Sequence, residues 1–230
     1  MAAPADSAGT FPVPEAGKVS RLLRLPATAR LCLVLAHGAG AGMRHPFLSA
    51  LASELADRDV ATFRYQFPYM ERRTRRPDPP AIAEATVRAA VREAARLAPG
   101  TPLIVGGKSF GGRMTSVAQA REPLPGVRGI AFLGFPLHPA GKPSIERGKH
   151  LSDVRVPMLF LQGANDKLAD LKLLRPLCAR LPAATLHVVD HADHSFHVPV
   201  RTGRGDAEVR AEIENVLVGW ANRVVAAGAP

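Results

Sequence analysis

Two hydrophobic periods alternate along this chain. Leu31-Cys32-Leu33-Val34-Leu35-Ala36 is a continuous apolar run of strand length with no polar face. A strand that is apolar on both sides suits a parallel sheet covered by helices above and below. Strands are predicted in the same way over residues 60–65, 102–106, 127–135, 156–162 and 184–189. Between them the period changes. Phe47, Leu48, Leu51 and Leu55 fall at helical spacing within 45–57, and an Ala-rich helix is predicted over 81–97, stopped by Pro99-Gly100. Further helices are predicted over 109–120, 170–181 and 206–227. Residues 18–25 suit an edge strand, while 69–80 and 136–153 read as loops. Residues 1–17, rich in Ala, Pro and Gly, read as a flexible tail, which leaves 18–230 as one domain. Alternating strands and helices imply right-handed crossovers. The expected fold class is therefore α/β: a three-layer, mostly parallel sheet with helices on both faces. The connections are too short for a cap domain.

Composition narrows the picture. A chain of 230 residues suits one sizeable core. No apolar run approaches the roughly 20 residues that cross a bilayer. The N-terminus has neither a basic nor an apolar leader segment, so no membrane partner is expected and the cytoplasm is the default location. The two cysteines, Cys32 and Cys178, lie in apolar segments and read as free buried thiols, in keeping with a reducing compartment. The formal charge of +10 raises the question of an anionic partner. Most basic residues are scattered. The one dense run, Arg72-Arg73-Thr74-Arg75-Arg76, has no interleaved aromatics and no recognition-helix pattern, so nucleic acid is not an expected partner. The run follows the 60–65 strand. Loops at the carboxyl ends of strands border the site in open α/β sheets. Arg72, Arg73, Arg75 and Arg76 are therefore candidate contacts for an anionic substrate.

The chemistry-bearing motif is Gly107-Lys108-Ser109-Phe110-Gly111, which matches G-x-S-x-G between a strand and a helix. A serine on so sharp a turn needs neighbours without side chains, because a Cβ there would meet adjacent backbone. Gly112 adds room for close helix packing. A phosphate loop is excluded, since that motif requires glycine where Pro102 stands. A tetrahedral intermediate needs preorganised N–H donors. The Phe110 backbone is one. The second belongs to the loop His37-Gly38-Ala39-Gly40, with Ala39 preferred and Gly40 as the alternative; His37 itself reads as a loop-ordering residue. The acid should follow a later strand, and Asp166 does; Asp170 reads as a helix N-cap. The base should follow the last strand, where His191, His194 and His197 compete. With His187 these histidines are spaced by four, three and three, but on a strand and loop rather than a helix, so no metal site and no cofactor is expected.

As a set, His37-Gly38-Ala39-Gly40, Gly107 through Arg113, Gly163-Ala164-Asn165-Asp166 and Asp193-His194-Ser195-Phe196 resemble the α/β-hydrolase superfamily. They are most similar to its small, cap-less, dienelactone-hydrolase-like branch, which includes testis-expressed protein 30. The resemblance spans about residues 18–225. It implies a Ser–His–Asp triad of Ser109, His194 and Asp166, and it selects His194 among the three histidines. Dienelactone hydrolases proper carry a nucleophilic cysteine where this chain has Ser109, which argues against dienelactone as substrate. The implied activity is serine hydrolysis of a small ester or thioester through an acyl-serine intermediate. The competing reading is a binding or scaffold protein that retains the fold without turnover.

Overall fold

The computed structural model describes residues 4–227. In chain order its elements are β1 (Ser7–Val13), β2 (Gly17–Arg24), β3 (Leu31–Ala36), α1 (Pro46–Ala56), β4 (Val60–Tyr65), the single turn α2 (Pro68–Glu71) and α3 (Pro80–Leu97). There follow β5 (Leu103–Lys108), α4 (Phe110–Arg121), β6 (Val127–Leu133), a 3-10 helix (Glu146–Asp153), β7 (Met158–Gly163), α5 (Leu171–Ala179), β8 (Ala184–Val189), a short 3-10 turn (Val200–Thr202) and α6 (Asp206–Ala227). The eight strands form one sheet in the order β1-β2-β4-β3-β5-β6-β7-β8. From β4 to β8 all neighbours are parallel, while β2 runs antiparallel to both β1 and β4. Among the described residues no cap domain interrupts the alternation. This is the expected α/β class, a mostly parallel sheet with helices on both faces.

The apolar strands do what their composition requires. On β3 all six residues are buried. Leu31, Leu33 and Leu35 face one layer, where they meet Leu48, Leu51 and Leu55 of α1 and Ile213 and Leu217 of α6. Cys32, Val34 and Ala36 face the other, which holds Val87, Ala90 and Ala94 of α3 and Met114 and Ala118 of α4. Period-two alternation thus splits one apolar run between two cores. At β6, Gly129 lets Trp220 of α6 lie on the sheet; a Cβ there would stand 2.8 Å from the indole. Cys32 and Cys178 are free and buried. No helix among the described residues is long and apolar enough to cross a membrane.

Two expectations need correction. The segment read as a loose tail over 1–17 holds a strand, Ser7–Val13, paired from Ser7↔Leu23 to Val13↔Gly17. Residues 1–3 of that span, and 228–230 of the expected domain, lie outside the described residues. Consequently β2 is an inner strand, not an edge. The cause is burial of a short alternating pattern. Phe11 and Val13 face the core, with the Phe11 ring 5.8 Å from Phe63 and 6.3 Å from Tyr65. Charge adds a second anchor. Arg64, wholly buried on β4, donates to Asp6 at 2.6 Å and to the Ser49 hydroxyl at 2.9 Å. Arg24 donates to the other Asp6 oxygen at 3.0 Å. Against the upward pull of its own burial, these two arginines hold the Asp6 carboxyl below the usual aspartate range.

The N-terminal strand is therefore part of the core. Phe11→Ala should lower unfolding stability by about 3–5 kcal/mol in urea titrations, the cost of emptying a buried aromatic site. A loose tail would show no change.

Candidate active site

The carboxyl ends of the parallel strands converge on Ser109. It follows β5 directly and caps α4 with φ +50° and ψ −117°, a conformation that a residue with a side chain rarely adopts. The turn is possible because backbone approaches backbone on both sides of it. A Cβ at Gly107 would lie 2.2 Å from the Ala36 carbonyl oxygen, and one at Gly111 would lie 2.5 Å from that of His37. Neither approach tolerates a side chain, so the glycines on either side of Ser109 set its position.

The structure brings Ser109, His194 and Asp166 together from three segments. His194 Nε2 stands 2.8 Å from Ser109 Oγ, and His194 Nδ1 stands 2.6 Å from Asp166 Oδ2. Asp166 follows β7 with its side chain fully buried. Its Oδ1 accepts the Leu168 N–H at 2.7 Å, and its Oδ2 also accepts from Gln162 Nε2. Gln162 Oε1 in turn accepts the Phe135 N–H at 2.8 Å. Sequence reasoning passed over Gln162. The signal was there: a polar residue closing the apolar run Met158-Leu159-Phe160-Leu161. With its partners supplied, it orients the carboxylate rather than disturbing the core.

The other histidines go elsewhere. His191 and His197 are exposed, and His197 Nδ1 pairs with Asp206 at 2.9 Å. His187 Nε2 pairs with Glu212 at 2.7 Å. The rings thus point to separate partners. Asp170 caps α5 by accepting the Lys172 N–H at 2.8 Å.

On the opposite side of Ser109 lies the loop after β3. His37 is fully buried there. Its Nδ1 donates to the Gly38 carbonyl at 2.7 Å and its Nε2 accepts the Phe67 N–H at 3.1 Å, so the ring ties the loop to the segment after β4. The Gly40 N–H donates to the Tyr69 hydroxyl at 2.9 Å. That bond occupies Gly40, the alternative donor, while the Ala39 N–H, like that of Gly38, has no partner among the described residues. Phe110 opens α4, and its N–H lies in the first helical turn, where no helix carbonyl can receive it. Tyr69 was another residue that sequence reasoning missed, because it sits at the start of a stretch read as loop.

Between these two sides opens a cleft of about 340 Å³. Ala39, His45, Phe47, Leu48, Leu168 and Ser195 line it, together with Lys108, Ser109 and His194. The arginine run does not reach it. Arg72, Arg73, Arg75 and Arg76 are all exposed and none lines the cleft; Arg72 and Arg76 border a separate depression with Pro77, Pro79 and Pro80. The expectation that these four contact substrate is corrected accordingly. Arg72 pairs at 2.6 Å with buried Asp78, and Asp78 accepts the Tyr69 N–H at 2.9 Å.

Residues 29–222 match the family model described as an alpha/beta hydrolase domain. Among solved structures, the chain is similar to a lid-less α/β serine hydrolase from Xanthomonas campestris, with a TM-score of 0.73 and 20% identity over 94% of this chain and 95% of that one. It is equally similar to a dienelactone hydrolase from Anabaena variabilis, at TM-score 0.73 and 20% identity over 92% and 96% of the two chains. An esterase domain from Rhodothermus marinus gives 0.72 and 18% over 95% and 98%. At such identities the likeness speaks for the fold.

The buried ring of His37 makes the loop sensitive to acid. Burial foremost lowers its pKa to about 4, against the Gly38 carbonyl and the Asp78 and Glu71 charges, which favour the cation. In an unfolded chain histidine titrates near 6.5. Between these values the unfolded state binds the extra proton, so stability is complete above pH 6.5 and is lost as pH falls toward 4. His37 should account for a loss on the order of 3 kcal/mol over that window. Urea titrations across it should show a shallower slope for His37→Gln than for the parent.

Proposed function

The chain belongs to the α/β-hydrolase family, and from that premise we propose that it is a serine hydrolase acting on a small ester or thioester. The observation that carries the reading is the unbroken hydrogen-bonded chain Ser109–His194–Asp166, with distances of 2.8 Å and 2.6 Å. Esterase and lid-less serine hydrolase neighbours support it. Two buried free thiols support a cytoplasmic setting.

The geometry supports the following sequence. Asp166 accepts from His194 Nδ1–H and so leaves Nε2 as the proton acceptor. Ser109 Oγ attacks the acyl carbon while its proton passes to Nε2. The carbonyl oxygen becomes an oxyanion between the Phe110 and Ala39 N–H groups, helped by the positive end of α4. Collapse expels the alcohol or thiol, which takes the proton back from Nε2, and leaves an acyl-serine. Water then attacks with the same base and the same two donors, releasing the acid. Cys32 and Cys178 take no part, since both are buried and burial pushes the first to about 12 and the second to about 11.

A fluorophosphonate probe should label the protein once, at Ser109. Ser109→Ala and His194→Ala should each lower kcat by roughly 10⁴- to 10⁶-fold, and Asp166→Ala somewhat less. Because the three act as a unit, the Ser109/His194 double variant should be little worse than either single one. His191→Ala and His197→Ala should keep most activity. Absence of labelling with the fold intact would turn the reading into a scaffold protein.

The cleft also limits the acyl group. At about 340 Å³ it is near the lower end for small-molecule sites. Across a panel of neutral esters, kcat/KM should be highest for short acyl chains. An optimum at long chains would refute the assignment of this cleft as the acyl site.

A further inference from the structure

Lys108 stands between the two loops on which this chemistry depends, and no step above uses it. It occupies the variable position just before Ser109. Its ammonium donates to the backbone carbonyl of His194 and lies 5.0 Å from the centre of the Phe196 ring. Its stem passes under the β3 loop, where a Cβ at Gly38 would meet Lys108 Cγ at 3.6 Å. Space for the ammonium comes from Gly134, which follows β6 with φ +72°. A Cβ there would lie 3.0 Å from Lys108 Nζ and 3.4 Å from His194 Cε1 and Nδ1. The charged and titratable groups around Nζ are Asp166 after β7, and Asp193 and the His194 ring on the loop it binds. The β3 loop and the turn after β6 present it with glycines.

The His194 loop needs such a tie. One side of it is fastened to the turn after β7: the Asn165 N–H donates to the Ala192 carbonyl at 2.8 Å, and Asn165 Nδ2 donates to that of His191 at 3.0 Å. Asp193 knits the loop internally by accepting the Ser195 and His197 N–H groups. Toward the segment that carries Ser109, the loop has only two hydrogen bonds among the described residues, the Lys108 bond and the Ser109–His194 contact itself. An imidazole that must reach two partners at once tolerates little backbone drift, since misplacement by about 1 Å is enough to lose on the order of 100-fold in rate.

We propose that Lys108, in its ammonium form, is a positioning residue that locks the His194 backbone so that the ring meets Ser109 and Asp166 together. This rests on the reading of Ser109 as nucleophile. Burial brings the Lys108 pKa down to about 8, with Asp166 and Asp193 opposing the shift. The ammonium is therefore lost on mild alkalinisation. Above pH 8, and up to the ordinary lysine range, the unfolded chain binds more protons than the folded one. The lysine's own contribution to folding then rises with pH. Activity and fold stability should part company in that range, which a merely structural lysine would not produce.

The test uses a neutral short-chain ester followed by acid release from pH 6 to 10, with Tm measured alongside. Parent kcat should fall above pH 8 while the protein stays folded. Lys108→Met should lower kcat at pH 7 by on the order of 10- to 100-fold, leave KM for the neutral ester nearly unchanged, and show no further fall above pH 8. Lys108→Arg, which stays charged throughout, should lose less at pH 7 and should also lack the alkaline fall. A parent profile flat to pH 10, or an alkaline fall that persists in Lys108→Arg, overturns the proposal even if Lys108→Met fails to fold. So does a Lys108→Met variant that raises KM only for a dicarboxylate half-ester, because Lys108 would then be a substrate contact. Fluorophosphonate labelling separates the two levels. A parent that labels and turns over while the lysine variants match it refutes the role of Lys108 alone. A parent that neither labels nor turns over refutes the nucleophile, and the role of Lys108 falls with it.

Discussion

At the carboxyl end of β5 the chain runs so close to both neighbouring strands that side chains have no space. A Cβ at Gly106 would lie 1.9 Å from the Ala131 carbonyl oxygen on β6, and one at Gly107 would lie 2.2 Å from that of Ala36 on β3. This squeeze lifts Ser109 onto the crest of its turn and points the start of α4 at the same spot. A non-glycine residue held at positive φ costs on the order of 1–3 kcal/mol and persists only where the surroundings over-determine it. Here they do, because β5 is buried on both faces and bonded along both edges. Local strain at the serine is thus borne by the packing of the middle of the sheet.

The rest of the site is assembled around that fixed point by side chains that hold backbone rather than meet substrate. Gln162 turns the Asp166 carboxylate, His37 stitches the β3 loop to Phe67, and Tyr69 takes up the Gly40 N–H. The first two pair buried polar groups with each other, and the third holds the exposed Gly40 N–H with a buried phenol, so the arrangement is kept rigid. The arginine run contributes at one remove. Through Asp78, Arg72 steadies the turn bearing Tyr69 instead of reaching the cleft.

Much of this was legible in the residues. Apolar runs with no polar face could only be inner strands, and the glycines around Ser109 announced a turn with no room for side chains. The misreadings have physical causes. The first strand was hidden because Pro12, Gly9 and Ala8 dilute a period-two pattern whose informative members are Phe11 and Val13. Arg64 gave no sign of being wholly buried, since its counter-ion, Asp6, lies 58 positions away. The arginine loop was assigned to the substrate by the general rule for strand ends; sequence could not show that Arg72 pairs with Asp78 and that none of the four lines the cleft. Lys108 was read as the variable letter of a motif, because the carbonyl it serves lies 86 positions further on.

The pairing of Asp6 with Arg64 has a bearing on how long the protein survives. The Arg64 guanidinium also holds the Ser49 hydroxyl and the Met43 carbonyl, so it buttresses the start of α1, whose Phe47 and Leu48 form a wall of the cleft. Arg64 is fully buried while the Asp6 side chain is 22% exposed, so loss of this carboxylate would leave a buried charge uncompensated and cost fold stability. A protease that clips just after Asp6 would leave the strand's core residues in the chain and yet release the carboxylate that neutralises Arg64. The first nick at the sheet's far edge would then be felt at the substrate wall, and degradation from that end would silence the protein before it dismantled it.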